Sequence, residues 1–407
     1  MSHLRILMAL VVRNLIRNKR RTLLASLAVG VGLAALIFTD GFMLSMEENM
    51  IRVATATFLG DGQIHAAGYR ESLDAEKYMP GSDALLGRLD ADPNVAASAP
   101  RTQAFAMVSS TAHASSALLF GIDPTREANL SKVDDAIVDG DYLDGEPRRI
   151  LVGRIMAEDL QVDVGDRVVV TLSEVGTDEL AQAMFRVGGI FEIGVREMDR
   201  SVAFVPIDRA RELLAIGDGA HEIAISLDAS VSAPERVWDA YSTVSLETLG
   251  WPDLMPQLAA ALGMTDISIL FVAMVLLGVV ALGIVNTLFM SLHERMFEFG
   301  VLRAVGTRPT RMAVMVLMEA GVLSLVSMVV GSMLAVVVCA VVNRNGIDYG
   351  GIEYAGVTFQ EPLRAILELR QFVIYPLWVL ACCFIAGLYP AVYAARMAPS
   401  SAMKAYS

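Results

Sequence analysis

The chain has 407 residues, 55% of them hydrophobic and 19% charged, with a formal net charge of −13. Ordinary soluble chains are ~45–50% apolar and ~25% charged, so this composition excludes a disordered or fibrous protein and argues against a purely soluble one. Three cysteines, Cys339, Cys382 and Cys383, are too few for a disulfide scaffold, and net acidity argues against nucleic-acid binding, which needs clustered Lys and Arg.

In residues 1–21, Leu4, Leu7, Met8, Val11 and Leu15 recur at helical spacing while Arg13, Arg17 and Arg20 share another face. That pattern predicts an amphipathic helix lying in the cytoplasmic membrane interface. Residues 22–46 form the first apolar run, with Asp40 near its far end. It exceeds the ~7–15 residues of a signal-peptide core and is read as a membrane span. Residues 47–266 form a long acidic block. Between Met46 and Asp266 lie 37 Asp and Glu against 17 Lys and Arg, a net of −20, so the remainder carries +7.

That block reads as a mixed α/β domain. Short β-rich runs are GQIHA (62–66), ALLFGI (117–122), RVVVTL (167–172), FRVGGIF (185–191) and VAFVPI (202–207). Helix-like stretches are Ser82–Leu89, Arg154–Leu160, Asp208–Leu214 and Ala233–Val244, with turn signals such as Gly165-Asp166 between elements. Further apolar runs follow at 267–292, 312–342 and 372–395, interrupted by one charge, Glu319. A bilayer crossing needs ~20 apolar residues, so the fold class is an α-helical membrane protein with four transmembrane helices and a mixed α/β extracytoplasmic domain.

Orientation follows from basic residues, which are retained on the cytoplasmic side. Arg5, Arg13, Arg17, Lys19, Arg20 and Arg21 precede the first span; Arg295, Arg303, Arg308 and Arg311 lie in the 293–311 connection; Arg396 and Lys404 lie in the 396–407 tail. Both termini and the 293–311 segment are therefore expected inside, and the 47–266 domain and the 343–371 loop outside.

Missing motifs narrow the function. Only four lysines occur, Lys19, Lys77, Lys132 and Lys404, and none follows a glycine, so no phosphate-binding P-loop is present. The histidines His3, His65, His113, His221 and His293 show no metal-ligand spacing, and no Gly-x-Ser-x-Gly elbow exists. GVGLAA (30–35) lies inside a span, where small residues serve helix packing rather than dinucleotide binding. No catalytic residue, metal site or resident cofactor is expected.

The segment NTLFMSLHERMFEFGVLRAVGT (286–307) resembles the signature of FtsX-like permeases, the membrane subunits of MacB-type ABC transporters. The resemblance rests on Asn286-Thr287-Leu288, Glu294-Arg295, Glu298-Phe299-Gly300, Leu302-Arg303-Ala304 and Gly306, then MEAG (318–321) and PAVYAARMAPSSAMK (390–404). LFGIDP (119–124), ILVGRIMAEDLQVDVGDRVVVTL (150–172), FRVGGIFEIGVREMDRSVAFVPI (185–207) and LGWPDLMPQL (249–258) look like the periplasmic domain of the lipoprotein-releasing LolC/LolE branch.

The resemblance implies a bacterial inner-membrane permease with a two-part, MacB-like periplasmic core domain. It implies a separate LolD-like cytoplasmic ABC ATPase that binds ATP and Mg, and a second permease copy or related permease. Membrane lipids, a lipoprotein substrate and a periplasmic carrier complete the expected partners. Glu294, Arg295, Glu298, Phe299, Gly300 and Arg303 are expected to couple to the ATPase, the charges forming a docking face and Phe299 an apolar plug. Glu319 is expected to pair with a basic or hydroxyl group of another span or to be protonated, since intramembrane charge is costly. Lipoprotein release is the leading function. Efflux of the MacB kind, and regulation of a periplasmic cell-wall hydrolase of the FtsX kind, are the alternatives.

Overall fold

The computed structural model describes Arg13 and residues 19–177, 179–350, 353–354, 357–358 and 362–396. The expected amino-terminal amphipathic helix and carboxy-terminal tail fall almost wholly outside the described residues. The chain divides into two units, one of residues 1–48, 262–350 and 361–407, the other of residues 49–261 and 351–360. In chain order the principal helices are α1 (Lys19–Ala54), α2 (Ser82–Asp90), α3 (Arg154–Leu160), α4 (Ile207–Leu214), α5 (Pro234–Tyr241), α6 (Pro256–Glu294), α7 (Met296–Ala304), α8 (Pro309–Asn345) and α9 (Gln371–Arg396).

In the first unit α1, α6, α8 and α9 are each long and apolar enough to cross a membrane. Each contains an apolar run read from the sequence and exceeds it; α6 begins at Pro256 rather than near Ile267. Leu33 and Ile37 of α1 share one buried cluster with Val280 and Ile284 of α6, Ala320 and Ala335 of α8, and Val379 and Cys383 of α9. Glycines set the closest approaches. A Cβ on Gly331 would lie 2.8 Å from the Gly30 carbonyl oxygen, and one on Gly32 would lie 2.5 Å from Val280 Cγ2. The GVGLAA run is thus a helix-packing surface.

Among the described residues the large sheet of the second unit holds ten strands: β1 (Gly62–Ala66), β2 (Val95–Ser109), β3 (Ala114–Ile122), β4 (Ile137–Gly140), β5 (Arg149–Gly153), β6 (Arg167–Ser173), β7 (Leu180–Phe191), β8 (Val202–Pro206), β9 (Glu222–Leu227) and β10 (Leu246–Gly250). All five runs read as strands are strands, and the helix-like stretches correspond to α2, α3, α4 and α5. The long β2, with β4, β5, β9 and β10, was not expected from the sequence.

Pairing in the order β2–β3–β8–β5–β7–β6 and back to β2 closes a six-stranded ring. Closure leaves no open edge within the ring. Its alternate residues turn inward, including Val108, Leu119, Val152, Val170, Phe185 and Val205, and α3 and α4 add Met156, Leu160 and Leu213 to this core. The first part of β2 extends instead into the order β10–β1–β9–β2. With crossovers β1–α2–β2 and β9–α5–β10, this half is a ferredoxin-like split βαβ layer, and the ring is inserted between β2 and β9. Ile64, Leu89, Ile223, Ile225, Val237 and Tyr241 fill its core.

Candidate coupling site

The segment between α6 and α8 folds as the short helix α7, which Gly306 terminates. Its φ of +93° is open to glycine without Cβ strain, and the Thr307 N–H returns to the Leu302 carbonyl at 3.0 Å, as in helix-ending turns.

At the start of α7 the Arg295 side chain is almost fully buried. Its Nε donates to Glu298 Oε2 at 3.0 Å and its Nη1 to Glu319 Oε2 at 3.2 Å. Ser291 Oγ donates to the other Glu319 oxygen at 2.8 Å. Ser291, Arg295 and Glu319 are all buried. The intramembrane acid of α8 is therefore held by a hydroxyl on α6 and a guanidinium at the elbow. Such geometry is what a buried charge requires, since several kcal/mol of desolvation must be offset by pairing and hydrogen bonds.

The structure corrects two expectations. Arg295 is not part of an exposed docking face, because its guanidinium turns inward to Glu319. Phe299 is not an exposed plug. It is 2% exposed, lies under the Arg295 guanidinium at 5.2 Å, and packs with Leu292, Met312, Met315 and Val316, and with Ala391 and Ala394 of α9. Gly300 is buried beside it. Glu294 and Glu298 remain exposed, and Arg303 is partly buried, its Nε without a hydrogen-bond partner among the described residues.

Apolar exposure on α7 falls elsewhere. Phe297 is 49% exposed and Val305 82%, with Val301 and Leu302 also outward. Phe297, Val301 and Val305 recur every four residues, so they share one helix face. The sequence reading missed this stripe, although its spacing was visible, and also missed Ser291, which sits one turn before Arg295. Among the described residues no group of three or more His, Cys, Asp or Glu side chains is placed to hold a metal ion.

Two family models match the chain. The FtsX-like permease C-terminal model covers residues 269–399, including the elbow and Glu319. The MacB-like periplasmic core domain model covers residues 22–236, more than half of the sequence. A lipoprotein-releasing system transmembrane protein LolC from Xylella fastidiosa is 26% identical over 332 residues, 77% of this chain and 78% of the relative. LolC of Neisseria meningitidis serogroup B is 22% identical over 94% of both chains. An uncharacterized ABC transporter permease of Methanocaldococcus jannaschii is 26% identical over 45% of each. Among solved structures, the periplasmic region of MacB from Actinobacillus actinomycetemcomitans aligns with 49% of this chain and 91% of its own length, at 13% identity and a TM-score of 0.34.

Proposed function

The chain belongs to the MacB/FtsX-type permeases of ABC transporters, and from that premise we propose that it releases lipoproteins from the inner membrane by relaying the ATP-driven motion of a separate ATPase to its α/β domain. The elbow carries this reading. An ATPase seated on Phe297, Val301 and Val305, with Glu294 and Glu298 beside them, would push a helix that is tied internally to three spans. Arg295 at its start ties it to Glu319 of α8, Ser291 of α6 holds the same carboxylate, and the Phe299 cluster reaches α9. A docked load would move these helices together, and α1 and α6 lead directly by chain connection to the α/β unit.

The substrate class rests on the LolC relatives and on the ring. Phe105 and Met107 of β2 and Leu180 and Met184 of β7 are exposed, and β6 pairs with both strands. Their outward faces give a lipidated cargo, or a carrier receiving it, an apolar strip of the kind that marks interaction surfaces. The orientation proposed places this domain in the periplasm and the elbow and both termini in the cytoplasm, with a second permease completing the assembly. ATP and Mg belong to the partner ATPase.

Depleting the protein tests the reading. Lipoproteins destined for the outer membrane should accumulate in the inner membrane within a few generations. Normal lipoprotein sorting with heightened sensitivity to exported compounds would replace release by efflux. Normal sorting with defective cell-wall cleavage would replace it by hydrolase regulation.

A further inference from the structure

We propose that Arg101 is a positioning residue that locks the two halves of the α/β unit to the end of α1, so that both follow that helix as one lever. The inference rests on the transmission reading above and adds the joint that it requires.

Arg101 stands where β2 passes from one half to the other. It pairs in register with Glu222 of β9, in the ferredoxin-like half, and with Ile122 of β3, in the ring. Its side chain is fully buried and grips both sides. Nε and Nη2 form a two-pronged pair with Glu127 at 2.9 and 2.7 Å, and Nη1 meets Glu222 Oε1 at 2.8 Å. Glu127 belongs to the short turn Pro124–Glu127 that follows β3. A planar guanidinium suits this double grip, and lysine could not reproduce it.

The same guanidinium stacks on Phe58 at 3.7 Å. Phe58 lies in a π-helical turn, Thr55–Leu59, that continues α1, and such turns often mark functional positions. Its ring meets Phe120 of β3 and Phe204 of β8 edge-on at 4.9 and 5.2 Å. The chain just beyond is stitched to the other half. The Asp61 N–H donates to the Ile225 carbonyl at 2.8 Å, Asp61 Oδ2 accepts from the Leu227 N–H at 2.8 Å, and Gln63 Nε2 donates to the Leu59 carbonyl at 2.9 Å. The end of α1 thus holds the ring through Phe58 and the ferredoxin-like half through Asp61. Arg101 touches Phe58 and bridges the two halves from within, while Arg126 of the Pro124–Glu127 turn joins them at the surface through Asp90 of α2.

The test uses the full chain with its co-purifying ATPase in lipid nanodiscs, native cysteines replaced. Spin labels are placed at Leu23 with Ala84, and at Leu23 with Glu158, to report each half against α1. In the unaltered protein, ATP–Mg should shift both distances. In the variant Arg101→Met/Glu127→Gln/Glu222→Gln, which removes the charges while keeping side-chain volume, the Ala84 shift should persist through Asp61 and the Glu158 shift should fall at least twofold. Phe58→Leu should reproduce that split, with ATP turnover retained in both variants. A folded variant, verified by unchanged hydrogen-exchange protection of β1 and β7, whose two shifts match those of the unaltered protein would overturn the joint. Absence of any ATP-dependent shift in the unaltered protein would contradict the transmission reading itself, and the joint with it.

Discussion

Phe297 and Phe299 lie two residues apart on α7, about 200° around the helix, and their environments are opposite. One is half exposed and the other almost fully buried. Phe299→Ala should therefore act on packing, costing ~3–5 kcal/mol as buried aromatic truncations do, read as a lower unfolding temperature of the full chain. Phe297→Ala should lower that temperature far less and weaken ATPase co-purification, by roughly 2 kcal/mol or about 30-fold if it is an interface anchor. The reverse pattern would return Phe299 to the docking face. Arg295 carries a second test. Arg295→Met leaves Glu319 buried and unpaired, a loss of ~3–5 kcal/mol, whereas Arg295→Met/Glu319→Gln should recover most of it. No recovery in a denaturation assay would mean that Arg295 serves something other than Glu319. Sequence alone marked Glu319, because a carboxyl inside an apolar run demands a partner. It could not show that Arg295 is that partner, because a cytoplasmic arginine beside a span is expected for orientation alone.

β2 shows where element reading failed. Its residues VAASAPRTQAFAMVS hold Ala, Ser, Pro and Gln in place of β-branched runs, and its two parts serve different sheets. Strand character here comes from pairing with β9, β3 and β6, not from local preference. β6 and β8 were legible because Val-rich runs bounded by turn signals suit buried strands. The joint around Arg101 was invisible for the same reason as β2, since its members are far apart in sequence and meet only through the sheet. β1 and β9 also bring together His65 and His221. Burial, the largest influence, lowers both pKa values below the usual 6.5, though Glu222 opposes this for each. His221 Nδ1 accepts the Gln103 N–H at 3.2 Å, and its Nε2 faces the Ala75 carbonyl at 3.0 Å, so a second proton would break a bond. Groups with depressed folded pKa values bind fewer protons when folded, and stability rises with pH through that window. Hydrogen-exchange protection of β1 and β9 should be full above about pH 6.5 and decline as pH falls below it. His65→Gln/His221→Gln should flatten that decline. Protection that increases on acidification in the unaltered chain would refute it.

Segregation of charge across the chain made the whole-molecule plan legible: an acidic middle block between apolar runs flanked by arginine. It also fixed the expected sidedness. Cysteines introduced at Ser173 and Gly350 should react with an impermeant thiol reagent in spheroplasts, and one at Thr307 only after lysis, if the basic residues Arg295, Arg303, Arg308 and Arg311 orient the connection as the proposal has it. Labelling at Thr307 from outside would overturn the arrangement. What sequence could not supply was the proposed path of force, which depends on contacts between distant segments: Ser291, Arg295 and Glu319 at one end, and Phe58, Arg101, Glu127 and Glu222 at the other.

The decisive measurement is reconstitution of the full chain, with the ATPase that co-purifies with it, into vesicles carrying a labelled lipoprotein in the leaflet that faces the α/β domain. ATP–Mg should transfer the lipoprotein from the vesicle to an added periplasmic extract, and Glu298→Lys should sharply reduce that transfer at comparable protein levels, since it replaces an exposed carboxylate of the proposed docking face with a cation set beside the buried Arg295. ATP turnover in the assembled complex with the lipoprotein left wholly in the vesicle would contradict the release function.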